Sequence, residues 1–348
     1  MLNMPSESFL IKLAIDVFGS TDCDVLVDPF GGARDIRQKV VRAVGDPDKR
    51  FAEDPLRMLR AVRFAGQLNF KIDPATLNSI KRNAYRLHDI SKERIADETT
   101  KILSAKKPSR GIAFLVKTGL MRHIVPQFYD LIGVQQSAPH DKDVFGHVLG
   151  VVDNIPVSPV ARWAAFLHDI AKPQTMSTDE KGAIHFIGHE HDGAEMSREI
   201  LQDLKFPNQF IDKVSHIVDL HMRPDLYRRN QSDGAVRRLI RDAGDDLPDL
   251  LNLSRADILS QKRQPVEQRL ADVQHLEDRA KDIASRVDIP GLQSPLDGDD
   301  LMTLFKQPAG RWIQGVKRHL TDLVIEGKLK PGDKRRAAML ARKFMQDA

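Results

Sequence analysis

The sequence predicts a mainly α fold, and three observations predict it. Helical signals run nearly throughout, with Pro and Gly punctuating apolar-periodic segments. Strand-like stretches are few and short, at 24–28 and 40–44 on either side of the Gly31-Gly32 turn. The clearest helix starts at Asp54-Pro55 and runs through Phe64. There Asp54 reads as N-cap and Pro55 as first helical position, because a carboxylate accepts orphan backbone N–H groups and proline loses nothing at that place. At about 100° per residue, Met58, Ala61, Ala65 and Leu68 share one side, Arg60, Arg63 and Gln67 lie on the other, and Arg57 sits at the border. One face packs and the other offers guanidinium forks. Such a face could hold a nucleotide or could be an ordinary solvated surface.

Composition bounds the remaining possibilities. A chain of 348 residues is expected to form two or more domains. The single cysteine, Cys23, excludes a disulfide framework and cysteine-rich zinc sites. No segment reaches about 18 uninterrupted apolar residues and no secretory signal pattern opens the chain, so a cytoplasmic protein without membrane attachment is expected. A net charge of +4 is compatible with phosphate-rich partners. Aromatics make up 6%, so any RNA contact should run through Arg and Lys to phosphates rather than through base stacking on a sheet. Breaks fall near Ala105-Lys106-Lys107-Pro108 and Asp288-Ile289-Pro290-Gly291.

The flanks of the arginine helix carry further pattern. Asp28-Pro29-Phe30-Gly31-Gly32, Asp35, Arg42-Ala43-Val44-Gly45-Asp46-Pro47 and Arg50-Phe51-Ala52-Glu53-Asp54 lead into it. Ser91-Lys92-Glu93-Arg94-Ile95, Glu98 and Lys101-Ile102-Leu103 follow. In this order they resemble the class II tRNA nucleotidyltransferases, which comprise the CCA-adding enzymes and bacterial poly(A) polymerases. The resemblance implies that Asp54 and Arg57 form a protein template for the Watson–Crick edge of CTP or ATP, with Arg60 beside them, and that Phe30, Gly31 and Gly32 join head and neck. It also implies tRNA as partner and Mg²⁺ for transfer.

Transfer of this kind needs carboxylates that hold divalent metals. The family carries them roughly a hundred residues before its arginine helix, whereas only 53 residues precede Asp54 here. Asp22-Cys23-Asp24 and Gly31-Gly32-Ala33-Arg34-Asp35 are similar to the two carboxylate motifs but stand in the wrong order. The expectation is a chain that lacks most of the catalytic head and cannot catalyse transfer alone, with the head absent or supplied by a separate chain.

A second constellation comprises His147, His168-Asp169, His189, His221 and Asp257, spaced by 21, 1, 20, 32 and 36 residues. This places most of them on separate helices or helix ends, the way a bundle converges side chains on one interior site. Leu167-His168-Asp169-Ile170-Ala171-Lys172 is apolar on both sides of the pair, so burial is expected. Burying so many titratable groups is expensive unless a cation or mutual hydrogen bonds compensate. The set resembles the HD phosphohydrolase superfamily, whose ligands correspond to His147, His168, Asp169 and Asp257. His189 and His221 would add ligands for a second metal, and Lys172 would act near the developing charge. Mg²⁺, Mn²⁺ or a transition metal suits such donors. His88, His123, His140, His185, His191, His216, His275 and His319 are left as surface or capping residues.

The fold class expected is therefore mainly α: a helical neck, an HD-type helical body and a helical tail, with a small β remnant of the nucleotidyltransferase head at the N-terminus. Its divisions are 1–45 head remnant, 46–105 neck, 106–289 body and 290–348 tail. Pro295-Leu296-Asp297-Gly298, Pro308-Ala309-Gly310-Arg311 and Glu326-Gly327-Lys328-Leu329 in that tail resemble the segment that touches the acceptor arm of tRNA. The leading function is addition or repair of the tRNA 3′-terminal CCA with CTP and ATP. The alternative is a metal-dependent phosphohydrolase acting on nucleotides or RNA phosphate ends, and a third is an inactive RNA-binding protein.

Overall fold

The structure, a computed structural model, describes residues 28–136, 143–261, 266–286 and 292–347. Asp22-Cys23-Asp24, most of the strand expected at 24–28 and His140 therefore lie outside the described residues. Asp28 accepts the backbone N–H groups of Gly32 and Ala33 at 2.6 and 2.9 Å, and Gly31 turns with a left-handed φ of 73° into α1 (Gly32–Arg37). Asp35 on α1 is buried and bonded to Arg42 at 2.8 Å, so the Gly-Gly-Ala-Arg-Asp segment is a turn whose carboxylate already has a guanidinium partner.

The strand expected at 40–44 is shorter than predicted. It covers β1 (Val40–Val41), and its described partner is β2 (Lys71–Ile72), to which it runs parallel with Val40 opposite Lys71. Side chains explain that distant pairing. Arg42 reaches Asp73 at 2.5 Å as well as Asp35, and Ala43 donates its N–H to Thr76 Oγ1, which stitches the chain after β1 to the turn after β2.

Two helices, α2 (Pro47–Glu53) and α3 (Leu56–Leu68), meet at Asp54. Asp54 closes α2, and α3 begins at Leu56 with Pro55 in the cap position, one residue later than predicted. The carboxylate still accepts a first-turn donor, Leu56 N–H, at 3.2 Å. The buried side of α3 is Leu56, Met58, Leu59, Val62, Ala65 and Gly66, while Ala61 is half-buried and Leu68 exposed. The packed face is thus rotated from the predicted one because helices cover α3 from two directions.

Beyond β2 come α4 (Pro74–Asn83), α5 (Lys92–Leu103) and α6 (Pro108–Thr118). Arg63 donates to Glu98 of α5 at 2.8 Å and is half-buried there, while Gln67 donates to the Lys101 carbonyl and stays exposed. On another side α6 crosses α3 at two glycines. A methyl on Gly66 would stand 3.0 Å from the Gly111 nitrogen, so small residues set this close approach, while one on Gly111 would stand 2.5 Å from Ile102 Cγ2 of α5.

The body follows as α7 (Val144–Asn154), α8 (Pro159–Leu167), the short α9 (Lys172–Thr175), an antiparallel hairpin of β3 (Met176–Thr178) and β4 (Ile184–Phe186), then α10 (His189–Asp203), α11 (Asn208–Leu220), α12 (Asp233–Ala243), α13 (Leu247–Ser260) and α14 (Val266–Arg286). Asp143, Ser158 and Ser232 cap α7, α8 and α12 by accepting N–H groups of their first turns. One apolar cluster runs from Phe51 through Trp163 to Ile283, so neck and body share a core. Within it the Trp163 indole of α8 donates to Thr100 Oγ1 of α5 at 3.0 Å.

The tail, α15 (Gly298–Phe305), α16 (Arg311–Ile325) and α17 (Lys334–Asp347), has its own apolar cluster around Leu301, Val316 and Leu320. It meets α12 through Arg241 on Asp322 at 2.9 Å, Arg238 on Glu326 and Arg237 on the Ile325 carbonyl. The fold is mainly α, as the sequence predicts, with two small two-stranded sheets among the described residues. No described helix is long and apolar enough to cross a membrane.

Candidate metal centre and nucleobase helix

Five elements bring the six predicted ligands together. His147 comes from the first turn of α7, and His168 and Asp169 come from the end of α8. His189 opens α10, which Gly188 permits with a left-handed φ of 83°. His221 follows α11, and Asp257 lies in the last turn of α13. The four histidines and Asp169 are buried. Burial of this many charges needs an explanation.

Hydrogen-bond direction supplies one. Nδ1 of His168, His189 and His221 faces the carbonyls of Ala165, Phe186 and Val218 at 2.9, 2.6 and 2.6 Å. A carbonyl only accepts, so Nδ1 carries the proton in each ring. His147 Nδ1 faces Ser260 Oγ at 2.6 Å, and that hydroxyl donates its own proton to the Asp257 carbonyl, so Nδ1 is again the donor. All four Nε2 atoms therefore turn inward, each offering a lone pair when its ring is neutral.

Those lone pairs converge on one another. His147 and His168 Nε2 are 3.4 Å apart, and His189 and His221 Nε2 are 3.2 Å apart. Asp257 Oδ1 lies 2.8 Å from His147 Nε2. Asp169 presents Oδ2 to His168 at 3.2 Å and Oδ1 to His189 at 3.6 Å. Facing acceptors repel unless a proton or a cation sits between them. The six residues form two triads, His147-His168-Asp257 and Asp169-His189-His221, with donor atoms within 4.8 Å inside each.

Protons relieve one triad only. Burial works against a charged His168, yet Asp169 and then Asp257 outweigh it and raise its pKa. Asp169 is held well below the usual carboxylate range against its burial, chiefly by His168 and Lys172, and His147 holds Asp257 down to about 2. Burial lowers His189 and pushes His221 down to about 3, so that second pair stays neutral with its lone pairs opposed. Asp169 Oδ1, buried among them, has no hydrogen-bond partner. Each triad is a set of nitrogen and carboxylate donors that could hold a divalent cation.

Acid should therefore weaken the metal-free protein. His221 and His189 have folded pKa values below the ordinary 6.5, so between pH 6.5 and about 3 the unfolded chain binds more protons and stability falls as pH falls. His168, raised, works in the opposite sense: its contribution is present below 6.5 and lost as pH rises through its folded value. Asp169 and Asp257, also held low, add to the fall as pH approaches their ordinary 3.8, so four groups oppose one. Thermal melts of chelator-treated protein from pH 7 to pH 4 should show a falling midpoint, and a rising midpoint would contradict the assignment.

Lys172 Nζ lies 2.7 Å from both Asp169 Oδ2 and Gln136 Oε1. The cluster opens into a cleft of about 710 Å³ walled by β4, the turn after His221 and the end of α13. Ser260 and Gln261, which orient His147 and Asp257, were not foreseen, although both lie within one helical turn after Asp257. Among the remaining described histidines none is buried.

The arginine helix lies apart from this cleft. Arg57 Nη1 bonds Glu53 at 2.7 Å and the Arg50 carbonyl at 3.1 Å. Asp54 has Arg94 of α5 at 3.6 Å. Arg60 is exposed and makes no ion pair among the described residues. Both template candidates are thus engaged with neighbours, in pairs that are partly exposed and contribute only about 0–1 kcal/mol each.

Comparison with known proteins places these features in a lineage. Residues 69–131 match the family described as "Probable RNA and SrmB- binding site of polymerase A", and residues 156–285 match the HD domain. Over 316 residues the chain is 30% identical to the A-adding tRNA nucleotidyltransferase of Deinococcus radiodurans, covering 87% of this chain and 71% of that protein. The chain belongs to the tRNA nucleotidyltransferase family. A second member, the CC-adding tRNA nucleotidyltransferase of Thermus thermophilus, is 30% identical over 89% of this chain and 71% of its own length. The crystal structure of the Bacillus stearothermophilus CCA-adding enzyme in complex with CTP shares the fold, with a TM-score of 0.61 at 23% identity over 92% of this chain and 69% of that one. In this tRNA nucleotidyltransferase the HD match begins after His147, so its place beside the other five comes from geometry rather than from the matched segment. The comparisons lend no support to the expected separate chain carrying the head.

Proposed function

We propose that this chain serves addition or repair of the 3′-terminal CCA of tRNA, reading CTP and ATP with Asp54 and Arg57 and placing Arg60 beside the bound nucleotide. The observation that carries the reading is the 30% identity to an A-adding tRNA nucleotidyltransferase, which runs over 316 residues. Base chemistry supports the two side chains. Cytosine and adenine both present an exocyclic amine next to a ring nitrogen acceptor, whereas guanine and uracil present a carbonyl next to an N–H. A carboxylate accepts from the first arrangement while an adjacent guanidinium donates to it, and the same pair repels the second. To meet a base Arg57 exchanges Glu53 and Asp54 exchanges Arg94, a swap between solvent-exposed partners. Equilibrium dialysis against CTP, ATP, GTP and UTP tests the reading: retention of the first two is expected, and equal retention of all four would overturn it.

A second reading rests on the opposed lone pairs and the orphaned Asp169 Oδ1. His147, His168, Asp169 and Asp257 would hold one divalent cation, and Asp169, His189 and His221 a second. Bound there, such ions supply Lewis acidity that polarises a phosphate ester and acidifies water. The chain's own contribution is to aim four Nε2 atoms inward, to exclude solvent, and to place Lys172 where a phosphate oxygen gains negative charge. Chelator-sensitive release of phosphate from nucleotide or RNA ends is the expected result.

A further inference from the structure

Asp257 stands apart from the other five residues of the cluster. Its side chain keeps 22% of its surface in solvent while theirs are buried, and it occupies the last turn of α13, which ends at Ser260. Both facts count against a fixed carboxylate there, because helix ends fray and the negative end of the helix dipole repels an anion. Yet Asp257 Oδ1 meets His147 Nε2 at 2.8 Å, the contact on which the first triad depends.

A directional chain of hydrogen bonds holds it. Gln261, which follows the last residue of α13, donates from Nε2 to Asp257 Oδ2 at 2.7 Å, and its Oε1 accepts from Arg269 Nη1 of α14 at 2.7 Å. A flipped amide would set oxygen against the carboxylate and NH₂ against the guanidinium, so the two neighbours leave Gln261 one orientation. With Oδ2 occupied by the amide, Oδ1 is the oxygen turned to His147. Arg269 is anchored in its turn, since its Nη2 bonds Asp225 Oδ1 at 2.7 Å in the turn after His221. Asp225 already matches the guanidinium charge, so what reaches Asp257 through the amide is direction rather than attraction.

We propose that Arg269 is a positioning residue of the histidine cluster, acting through Gln261 to keep Asp257 Oδ1 turned toward His147. One side chain of α14 then ties the end of α13, which carries a residue of the first triad, to the turn that follows His221 of the second. Partners that orient a metal ligand in this way typically change affinity about 10–100-fold. The proposal rests on the reading of the cluster as a holder of divalent cations.

Mn²⁺ titration followed by electron paramagnetic resonance, which counts free ion, tests it on the wild type, Arg269→Met, Gln261→Met and the double variant, each checked by circular dichroism. Each single change should weaken one Mn²⁺ site about tenfold and leave the other within about twofold. The double variant should be no weaker than Gln261→Met, because two links of one chain lose their effect once, whereas independent supports add. No loss, an equal loss at both sites, or a roughly hundredfold additive loss in the double variant overturns the proposal. Arg269→Met alone decides if Gln261→Met does not fold. If the wild type binds no Mn²⁺ the metal reading falls, and the metal-free protein then decides the chain by proton–nitrogen correlation spectra of the histidine rings. The His147 signals should shift in both single variants while those of His189 and His221 stay, and unmoved His147 signals overturn it.

Discussion

If the six residues hold metal as proposed, replacing His168 and Asp169 together by alanine should abolish metal retention. Asp169 faces the first triad with Oδ2 and the second with Oδ1, so its loss removes an oxygen donor from both positions at once. His168 adds a nitrogen to the first. Loss of even an outer-shell partner of a ligand typically weakens metal affinity about 10–100-fold, and two inner ligands should leave under about a tenth of the wild-type content after gel filtration. Either this double change or Asp169→Ala alone takes the carboxylate from Lys172, and a buried cation left without its partner costs about 3–5 kcal/mol, so folding is checked for both. Metal content equal to wild type in a variant with unchanged circular dichroism would refute the metal centre.

Arg57→Ala should weaken CTP and ATP binding by about 10–100-fold, the equivalent of one charge-assisted hydrogen bond of about 1.5–3 kcal/mol. Arg57 already has Glu53 as partner, and that pair must open for a base to enter. Exposed pairs of this kind are worth about 0–1 kcal/mol, so the exchange favours the nucleotide. The fold should not suffer, since Arg57 is partly exposed and the packing of α3 comes from Met58, Leu59 and Val62. Unchanged calorimetric affinity for both nucleotides would remove the template role.

What the sequence made legible was chemistry confined to short segments. The adjacent His168-Asp169 pair in an apolar run announced its own burial, and the order of histidines implied convergence that the helix ends deliver. What stayed hidden depended on distant partners. Nothing near Val40 names Lys71, because β1 and β2 are joined by Arg42 reaching Asp35 and Asp73. Arg63 looked like a solvent residue until Glu98, itself part of a quoted motif, took its guanidinium. The rotated face of α3 has the same origin, since a periodicity count assumes one packing partner and this helix has α5 and α6. Ser260 escaped because a serine one turn beyond an aspartate carries no distinctive pattern.

The unbroken apolar cluster from Phe51 to Ile283 has an implication for how such a molecule can change over time. The helix that leads into His168, α8, supports α5 through Trp163 on Thr100, and α5 in turn packs against the arginine helix. Selection acting only on the nucleotide end would keep those helices in place as scaffolding. Descendants could lose every imidazole from the cleft and still inherit the bundle, so persistence of the architecture and persistence of the histidine cluster are separable histories.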